Sequence, residues 1–201
     1  AGAIMHYITE NKHTALSHIT KIQAINESDF VWMDGFTIRN LELISSPHKG
    51  AKTLADIVDY TSSPMGGRLL KRWITMPLNN TAGINERLAV VESLFNNKEQ
   101  TSTLTTHLNE LGDLERLVSK IAVGKVHPRE LLSLKRGLQA VVPIKTLCEA
   151  DKNPSLKAIG KQLNACEELV GRIENTIDDE APVLLSKGGV IKEGISKELD
   201  E

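Results

Sequence analysis

The spacing of apolar residues constrains the fold of this chain more than any other feature. From Gly35 onward, aliphatic side chains recur every three or four residues with few interruptions, which is the period of an α-helix. Aromatic residues make up only 3% of the 201 residues, so the helices have to pack through aliphatic side chains. The sequence therefore predicts an all-α fold in which several helices form an elongated stack.

Capping residues and prolines indicate where individual helices begin and end. Ser63 and Pro64 predict a helix start, because a serine hydroxyl caps free amides and proline loses nothing at the first helical position. Pro77 is expected to end this helix. Asn80 is the expected cap of the next helix, which runs into the 90s.

Two further patterns concern the second half of the chain. A long helix is expected to begin at Pro128, and Pro143 inside it is expected to kink or divide it. Residues 156–177 show apolar positions at alternating spacings of three and four, which is typical of a helix lying nearly parallel to a partner. Gly160 and Gly171 weaken that helix, so a break in the 160s is expected.

Residues 18–34 differ from the rest of the chain. Apolar and polar residues alternate in the segment HITKIQAIN, and FVWMD follows after the turn-like NESD. A period of two is typical of a half-buried strand. The sequence predicts a small β element near the N-terminus, made of two short paired strands.

The apolar stripes of the two helices in the 63–97 region predict the structural core. Each stripe falls on one face of its helix at 3.6 residues per turn. The predicted core residues are Leu69, Leu70, Trp73, Leu88, Val91 and Leu94.

Charge is unevenly distributed although the formal net charge is only −2. Between residues 116 and 145, seven Lys and Arg face a single acid, whereas residues 166–201 are strongly acidic. The basic stretch has two interpretations: it faces a polyanion such as DNA, or it pairs with acids inside the helical stack. If it faces DNA, the residues expected to contact phosphates are Arg116, Lys120, Lys125, Arg129, Lys135 and Arg136.

The sequence predicts no catalytic, cofactor-binding or metal-binding residue. Six histidines are scattered without the spacing of a zinc site, and no nucleophilic-serine elbow is present. Residues 189–196 have the glycine spacing of a phosphate-binding loop, but Ile195 occupies the position of its lysine. Cys148 and Cys166 are too few for a disulfide framework, so we expect buried free thiols.

Neither a secretory signal nor an apolar run long enough to span a membrane is evident. A membrane partner is therefore not expected, and the expected location is the cytoplasm.

Several segments, read in order, resemble successive stretches of MutS-type DNA mismatch-repair proteins. The first eight residues, AGAIMHYI, resemble the last helix of the connector domain in that family. The other segments are MDGFTIRNLEL (33–43), SPMGGRLLKRWITMPL (63–78), INERLAVVESL (84–94), DLERLVSKIAVGKVHPREL (113–131) and GGVIKEGISKELDE (188–201).

This resemblance implies a domain organisation and a mechanical role. Residues 1–16 would be the terminal helix of the connector domain, and residues 17–201 the core or lever domain up to the point where a DNA clamp is inserted. The chain would be a fragment that couples an ATPase domain to the clamp. Two alternatives stay open, a MutS-like paralogue acting in recombination and a free-standing helical scaffold that binds protein partners.

The resemblance also implies the chemistry of the whole protein. The fragment itself would not be an enzyme, whereas the parent protein would be a DNA-dependent ATPase that uses ATP and Mg²⁺ at a site outside this chain. Its implied partners are mismatched double-stranded DNA, a second MutS subunit and a MutL-type repair protein. The implied location is the bacterial cytosol, in association with the nucleoid.

Overall fold

The computed structural model describes residues 2–10, 21, 29–183 and 185–200. Over these ranges the regular structure is helical, apart from two isolated β-bridges, and the predicted all-α class is confirmed. The helices are α1 (Gly2–Glu10), α2 (Gly35–Asn40), α3 (Leu54–Val58), α4 (Pro64–Thr75), α5 (Thr81–Asn96), α6 (Lys98–Glu110), α7 (Leu114–Ala122), α8 (Pro128–Ala150), α9 (Pro154–Gln162), α10 (Glu167–Thr176) and α11 (Lys197–Asp200).

The helix starts predicted from capping residues are confirmed. The Ser63 hydroxyl accepts a hydrogen bond from the backbone N–H of Gly66 at 3.1 Å, directly before Pro64 at the first position of α4. The side-chain oxygen of Asn80 accepts from the N–H of Gly83 at 2.7 Å. These caps supply acceptors for amides that have no partner within their own helix.

α8 is the longest described helix and runs through Pro143 without a break, so this proline does not divide it. A proline inside a helix costs about 3 kcal/mol, because one hydrogen bond is lost and the ring crowds the preceding turn. Val141 and Ile144, on either side of Pro143, are both buried in the core. Their packing holds the helix together across the proline.

The break expected in the 160s is confirmed. α9 ends at Gln162 and α10 begins at Glu167, so the alternating stripe is shared by two helices. Between them Cys166 adopts the left-handed conformation, with φ of 50°. Both helices pack against α8.

Two groups of buried side chains form the core, and α8 contributes to both. The first core is formed by Leu104, Leu111, Ala140, Val141, Ile144, Cys148, Leu156 and Ala165. The second core is formed by Leu132, Leu134, Leu138, Ile173, Ile177 and Ala181. The C-terminal half of α8 thus faces α6 and α9, and its N-terminal half faces α10 and the segment that follows it.

The prediction of a core centred on α4 and α5 is wrong for four of its six residues. Leu69, Trp73, Leu88 and Val91 expose 47, 41, 58 and 60% of their surface. Leu70 is half-buried, and Leu94 packs against the first core. α5 turns toward the bundle the side that carries Val90 and Leu94, so Leu88 and Val91 on the adjacent side remain exposed.

The described part of the predicted β element pairs with a different segment than expected. Phe30 forms an isolated antiparallel bridge with Leu78, and the N–H of Val31 donates to the carbonyl of Pro77 at 2.8 Å. Residues 18–20 and 22–28, which include most of the predicted first strand, lie outside the described residues. Residues 11–20, which contain the predicted boundary between residues 16 and 17, lie outside them as well.

Candidate nucleic-acid interface

The six cations predicted to contact DNA lie on α7, on α8 or in the loop between these two helices. α7 packs against α8, so the sequence stretch forms one region of the molecule. The hydrogen bonds and ion pairs of each cation show whether its charge is available to an external phosphate.

Lys120 is engaged within the chain. Its ammonium pairs with the carboxylate of Glu130 at the start of α8. The hydrogen bond from Lys120, followed by one from the backbone N–H of His127, lowers the pKa of Glu130. Glu130 also completes a capping box with His127, so this ion pair joins α7 to the first turn of α8.

Lys135 and Arg129 are also engaged, in both cases by the segment after α10. The Nζ atom of Lys135 lies 2.8 Å from Oδ1 of Asp179, and the residue is only 8% exposed. The Nε of Arg129 donates to the carbonyl of Ala181 at 2.7 Å. A buried ammonium needs a partner, so Lys135 serves the fold rather than an external ligand.

Residues 178–183 form a segment that we call the α8 strap, because two side chains of the α8 N-terminal half and the residue that caps α8 hold it. Besides Lys135 and Arg129, the ring of His127 contributes: its Nδ1 accepts from the N–H of Arg129 at 3.2 Å, and its Nε2 lies 2.8 Å from the carbonyl of Val183. A ring whose Nδ1 accepts carries its proton on Nε2, which therefore donates to Val183.

A short antiparallel pairing ties the strap to the C-terminal segment. Ile177 bridges Ile191, with the N–H of Asp178 donating to Val190 and that of Lys192 donating to Thr176, both at 3.0 Å. The Nζ atom of Lys192 lies 3.9 Å from the second carboxylate oxygen of Asp179. Asp179 thus lies near two lysines, one on α8 and one in the C-terminal segment.

The remaining three predicted cations, Arg116, Lys125 and Arg136, are exposed. The guanidinium of Arg136 lies 3.4 Å from the hydroxyl of Ser133, a long contact with a neutral group. The interpretation of pairing with acids therefore holds for two of the six predicted cations, Lys120 and Lys135. Arg129 is bound to a neutral carbonyl, and the other three face solvent. DNA contact by these three stays a prediction.

Arg68 connects α4 to the start of α7 through hydrogen bonds that the sequence did not predict. Its guanidinium donates to both carboxylate oxygens of Asp113 at 2.7 and 3.0 Å and to Glu115 at 2.6 and 2.9 Å. Hydrogen bonds from Arg68 lower the pKa of Asp113. The sequence shows only that two acids, Asp113 and Glu115, lie near the start of a helix. Because 45 residues separate Arg68 from Asp113, local spacing could not identify the pair.

The glycine-rich segment 189–196 does not form a phosphate-binding loop. Gly189 and Gly194 have φ values of 64 and 83°, in the left-handed region that glycine adopts without strain. The N–H of Gly194 donates to the carboxylate of Asp200 at 2.9 Å. An amide occupied by a carboxylate, with Ile195 in the lysine position, does not provide a phosphate cradle.

Cys148 is buried and Cys166 is exposed, so the expectation of two buried thiols is wrong for Cys166. Among the described residues, no three His, Cys, Asp or Glu side chains are grouped as a metal site. No helix in the described part of the chain is long and apolar enough to cross a bilayer.

Comparison with known proteins identifies the family. Residues 36–201 match the family described as MutS domain III. Over all 201 residues the chain is 48% identical to the DNA mismatch repair protein MutS of Bacteroides fragilis, 49% to that of Flavobacterium johnsoniae and 46% to that of Cytophaga hutchinsonii. It spans 23–24% of the length of these relatives. The chain belongs to the MutS domain III family.

Proposed function

We propose that this chain is the lever of a bacterial MutS-type mismatch-repair protein, coupling an ATPase domain to a DNA clamp, both of which lie outside residues 1–201. The single observation that carries the proposal is the position of α8. Its 23 residues extend over about 35 Å at 1.5 Å per residue. Both cores and the α8 strap are attached to it.

A helix that is packed along its whole length can transmit a movement from one of its ends to the other. Closely packed interiors deform little, so packed helices move as semi-rigid pieces between discrete arrangements. In this chain the C-terminal half of α8 is fixed by the first core, and its N-terminal half by the second core and the strap. A displacement of the strap is therefore passed to α8 and along it. Pro143 is the proposed point of bending, because the helix lacks one hydrogen bond there.

The activity of the whole protein is part of this proposal. The relatives are named DNA mismatch repair protein MutS, which supports mismatched double-stranded DNA as a partner. We propose that the parent is a DNA-dependent ATPase using ATP and Mg²⁺, that it pairs with a second MutS subunit and a MutL-type protein, and that it works in the bacterial cytosol near the nucleoid. Residues 1–201 alone are expected to show no magnesium-dependent ATP hydrolysis.

The two alternatives are not favoured. Eight relatives with 45–49% identity over the full chain all carry the mismatch-repair name, which speaks against a recombination paralogue. A free-standing scaffold is not favoured because the same relatives contain this stretch within a polypeptide about four times as long.

The lever role is tested by loosening the strap in the full-length protein. Lys135→Met keeps the apolar stem and removes the charge that holds Asp179. We expect mismatch affinity without nucleotide to be unchanged and ATP-induced release from the mismatch to slow severalfold, measured by stopped-flow fluorescence on labelled DNA. Lys145→Met, on the same helix, is the matched control and should behave as wild type. A Lys135→Met protein that is folded and releases DNA at the wild-type rate would refute the role of the strap.

The proposed phosphate contacts are tested on the basic region. Arg116, Lys125 and Arg136 are proposed to attract DNA weakly and without sequence preference. Each phosphate neutralised adds about −0.9 to the slope of log K against log salt, so replacing all three by Ala should make the slope shallower by about 2.7 at most. Replacing the exposed Lys49 and Lys52, which lie before α3, is the control. An unchanged slope in the triple variant would remove these residues from the interface.

A further inference from the structure

One side of α5 presents an apolar stripe to solvent. We call it the α5 stripe: Ile84, Leu88, Val91 and Phe95, which are 39, 58, 60 and 76% exposed. Their spacings of four, three and four residues place them on one face of the helix. Single exposed apolar residues are ordinary, whereas a contiguous row of large ones marks a surface that binds something.

A different side of α5 packs against the described bundle. Val90 and Leu94 pack against the first core. The hydroxyl of Ser93 donates to Asp151 at 3.1 Å, beside the start of α9. The α5 stripe is thus a separate surface of the helix, distinct from the one that builds the described bundle.

We infer that the α5 stripe is covered, in the full-length protein, by an amphipathic helix from the polypeptide outside residues 1–201. The relatives that contain this stretch are about four times as long, so ample chain exists to supply such a helix. Spacings of four, three and four residues correspond to the d, a, d and a positions of a heptad. The partner is therefore a helix with Leu or Ile at matching positions, crossing α5 at about 20°.

The charges beside the stripe define the partner further. Arg87 lies on one flank of the α5 stripe and Glu92 on the other, at the g and e positions of the heptad. The Arg87 guanidinium carbon lies 3.8 Å from the centre of the Trp73 ring, which holds the cation at this flank and joins α4 to the surface. The covering helix carries an acid toward Arg87 and a base toward Glu92.

The test is thiol labelling of the full-length protein. Leu88→Cys places a thiol in the α5 stripe, and Ala89→Cys places one at an exposed b position of the same helix, away from the stripe and from both of its flanks. Alkylation is followed under native conditions by mass spectrometry of the peptide that contains each new cysteine, so other thiols do not contribute. We expect Leu88→Cys to react at least about tenfold more slowly than Ala89→Cys, at a rate independent of protein concentration.

Two results would overturn the inference. Equal labelling rates at the two positions would show that the α5 stripe is uncovered. Protection of Leu88→Cys that appears only as protein concentration rises would show that a second copy covers it, since parallel α5 helices would also pair Arg87 with Glu92. Val91→Cys provides an independent reading should Leu88→Cys not fold. This inference does not depend on the lever role.

Discussion

The ammonium of Lys135 lies 2.8 Å from Oδ1 of Asp179 and joins the buried middle of α8 to the strap that follows α10. The two partners differ in environment, because the side chain of Lys135 is 10% exposed and that of Asp179 is 63% exposed. The buried ammonium of Lys135 needs the carboxylate as its partner, whereas the carboxylate of Asp179 is also hydrated by solvent. Loss of the aspartate should therefore destabilise the chain by leaving the lysine without a partner.

Acid should weaken the chain partly through this pair. The hydrogen bond and then the charge of Lys135 lower the pKa of Asp179. A lowered folded-state pKa gives stability that is present above the unfolded value of about 3.9 and is lost as pH falls through the folded pKa. We expect Lys135→Met to lose less unfolding free energy than wild type between about pH 5 and pH 3. Urea titrations at each pH provide the measurement.

The control for this experiment is a double-mutant cycle. Asp179→Asn should reduce the acid sensitivity at least as much as Lys135→Met, because Lys192 also lowers the pKa of Asp179, and the double variant should match Asp179→Asn. Asp113 and Glu130 also have lowered pKa values, so part of the acid sensitivity should remain in every variant. An acid sensitivity that is equal in wild type and Lys135→Met would show that the pair contributes nothing.

A methyl group at position 137 should destabilise the chain. A Cβ there would lie 2.5 Å from the carbonyl oxygen of Leu111 and 2.7 Å from Cδ2 of Leu114, so backbone would have to move. We expect Gly137→Ala to lower the unfolding free energy by about 1–3 kcal/mol. Gly171→Ala in α10 is the matched control: its Cβ would meet nothing within 4 Å, and alanine should add up to about 1 kcal/mol. Denaturant unfolding that gives both variants the same sign would contradict the close approach.

Truncation of two leucines should distinguish the core from the α5 stripe. Leu134 is 2% exposed in the second core, so Leu134→Ala should cost about 2–5 kcal/mol in chemical denaturation of residues 1–201. Leu88 is 58% exposed, and Leu88→Ala in the same chain should cost less than about 1 kcal/mol. A larger loss at Leu88 than at Leu134 would reverse the assignment of the core.

The two cysteines should react at different rates. Burial raises the pKa of the Cys148 thiol, and this lowers the fraction of reactive thiolate at a given pH. Cys166 is exposed. With Ellman's reagent at about pH 8, we expect Cys166 to react at once and Cys148 only after denaturant is added. The Cys166→Ser variant checks the assignment, because its native protein should show almost no fast reaction.

Local features of the fold could be predicted from the sequence, because they depend on residues near one another in the chain. The caps Ser63 and Asn80 and the break in the 160s belong to this class. The choice of core could not be predicted from periodicity. Trp73 and Leu88 lie in stripes as regular as those of α8, but a stripe is buried only where another element packs on it.

The ion pairs and hydrogen bonds between distant residues could not be predicted from the sequence for a similar reason. Nothing near Lys135 identifies Asp179 as its partner 44 residues away, and no local pattern distinguishes one of the six predicted DNA-contacting cations from another. Tertiary packing then gives Lys120, Arg129 and Lys135 internal partners. The prediction of DNA contact therefore rests on fewer residues than the sequence indicated.

Because α8 belongs to both cores, the part of the chain that these cores hold together cannot unfold one core at a time. Fraying of α8 at either end removes side chains from one core and loosens the helix that the other core requires. Calorimetry on residues 1–201 should accordingly show a single heat-absorption peak whose calorimetric and van't Hoff enthalpies agree.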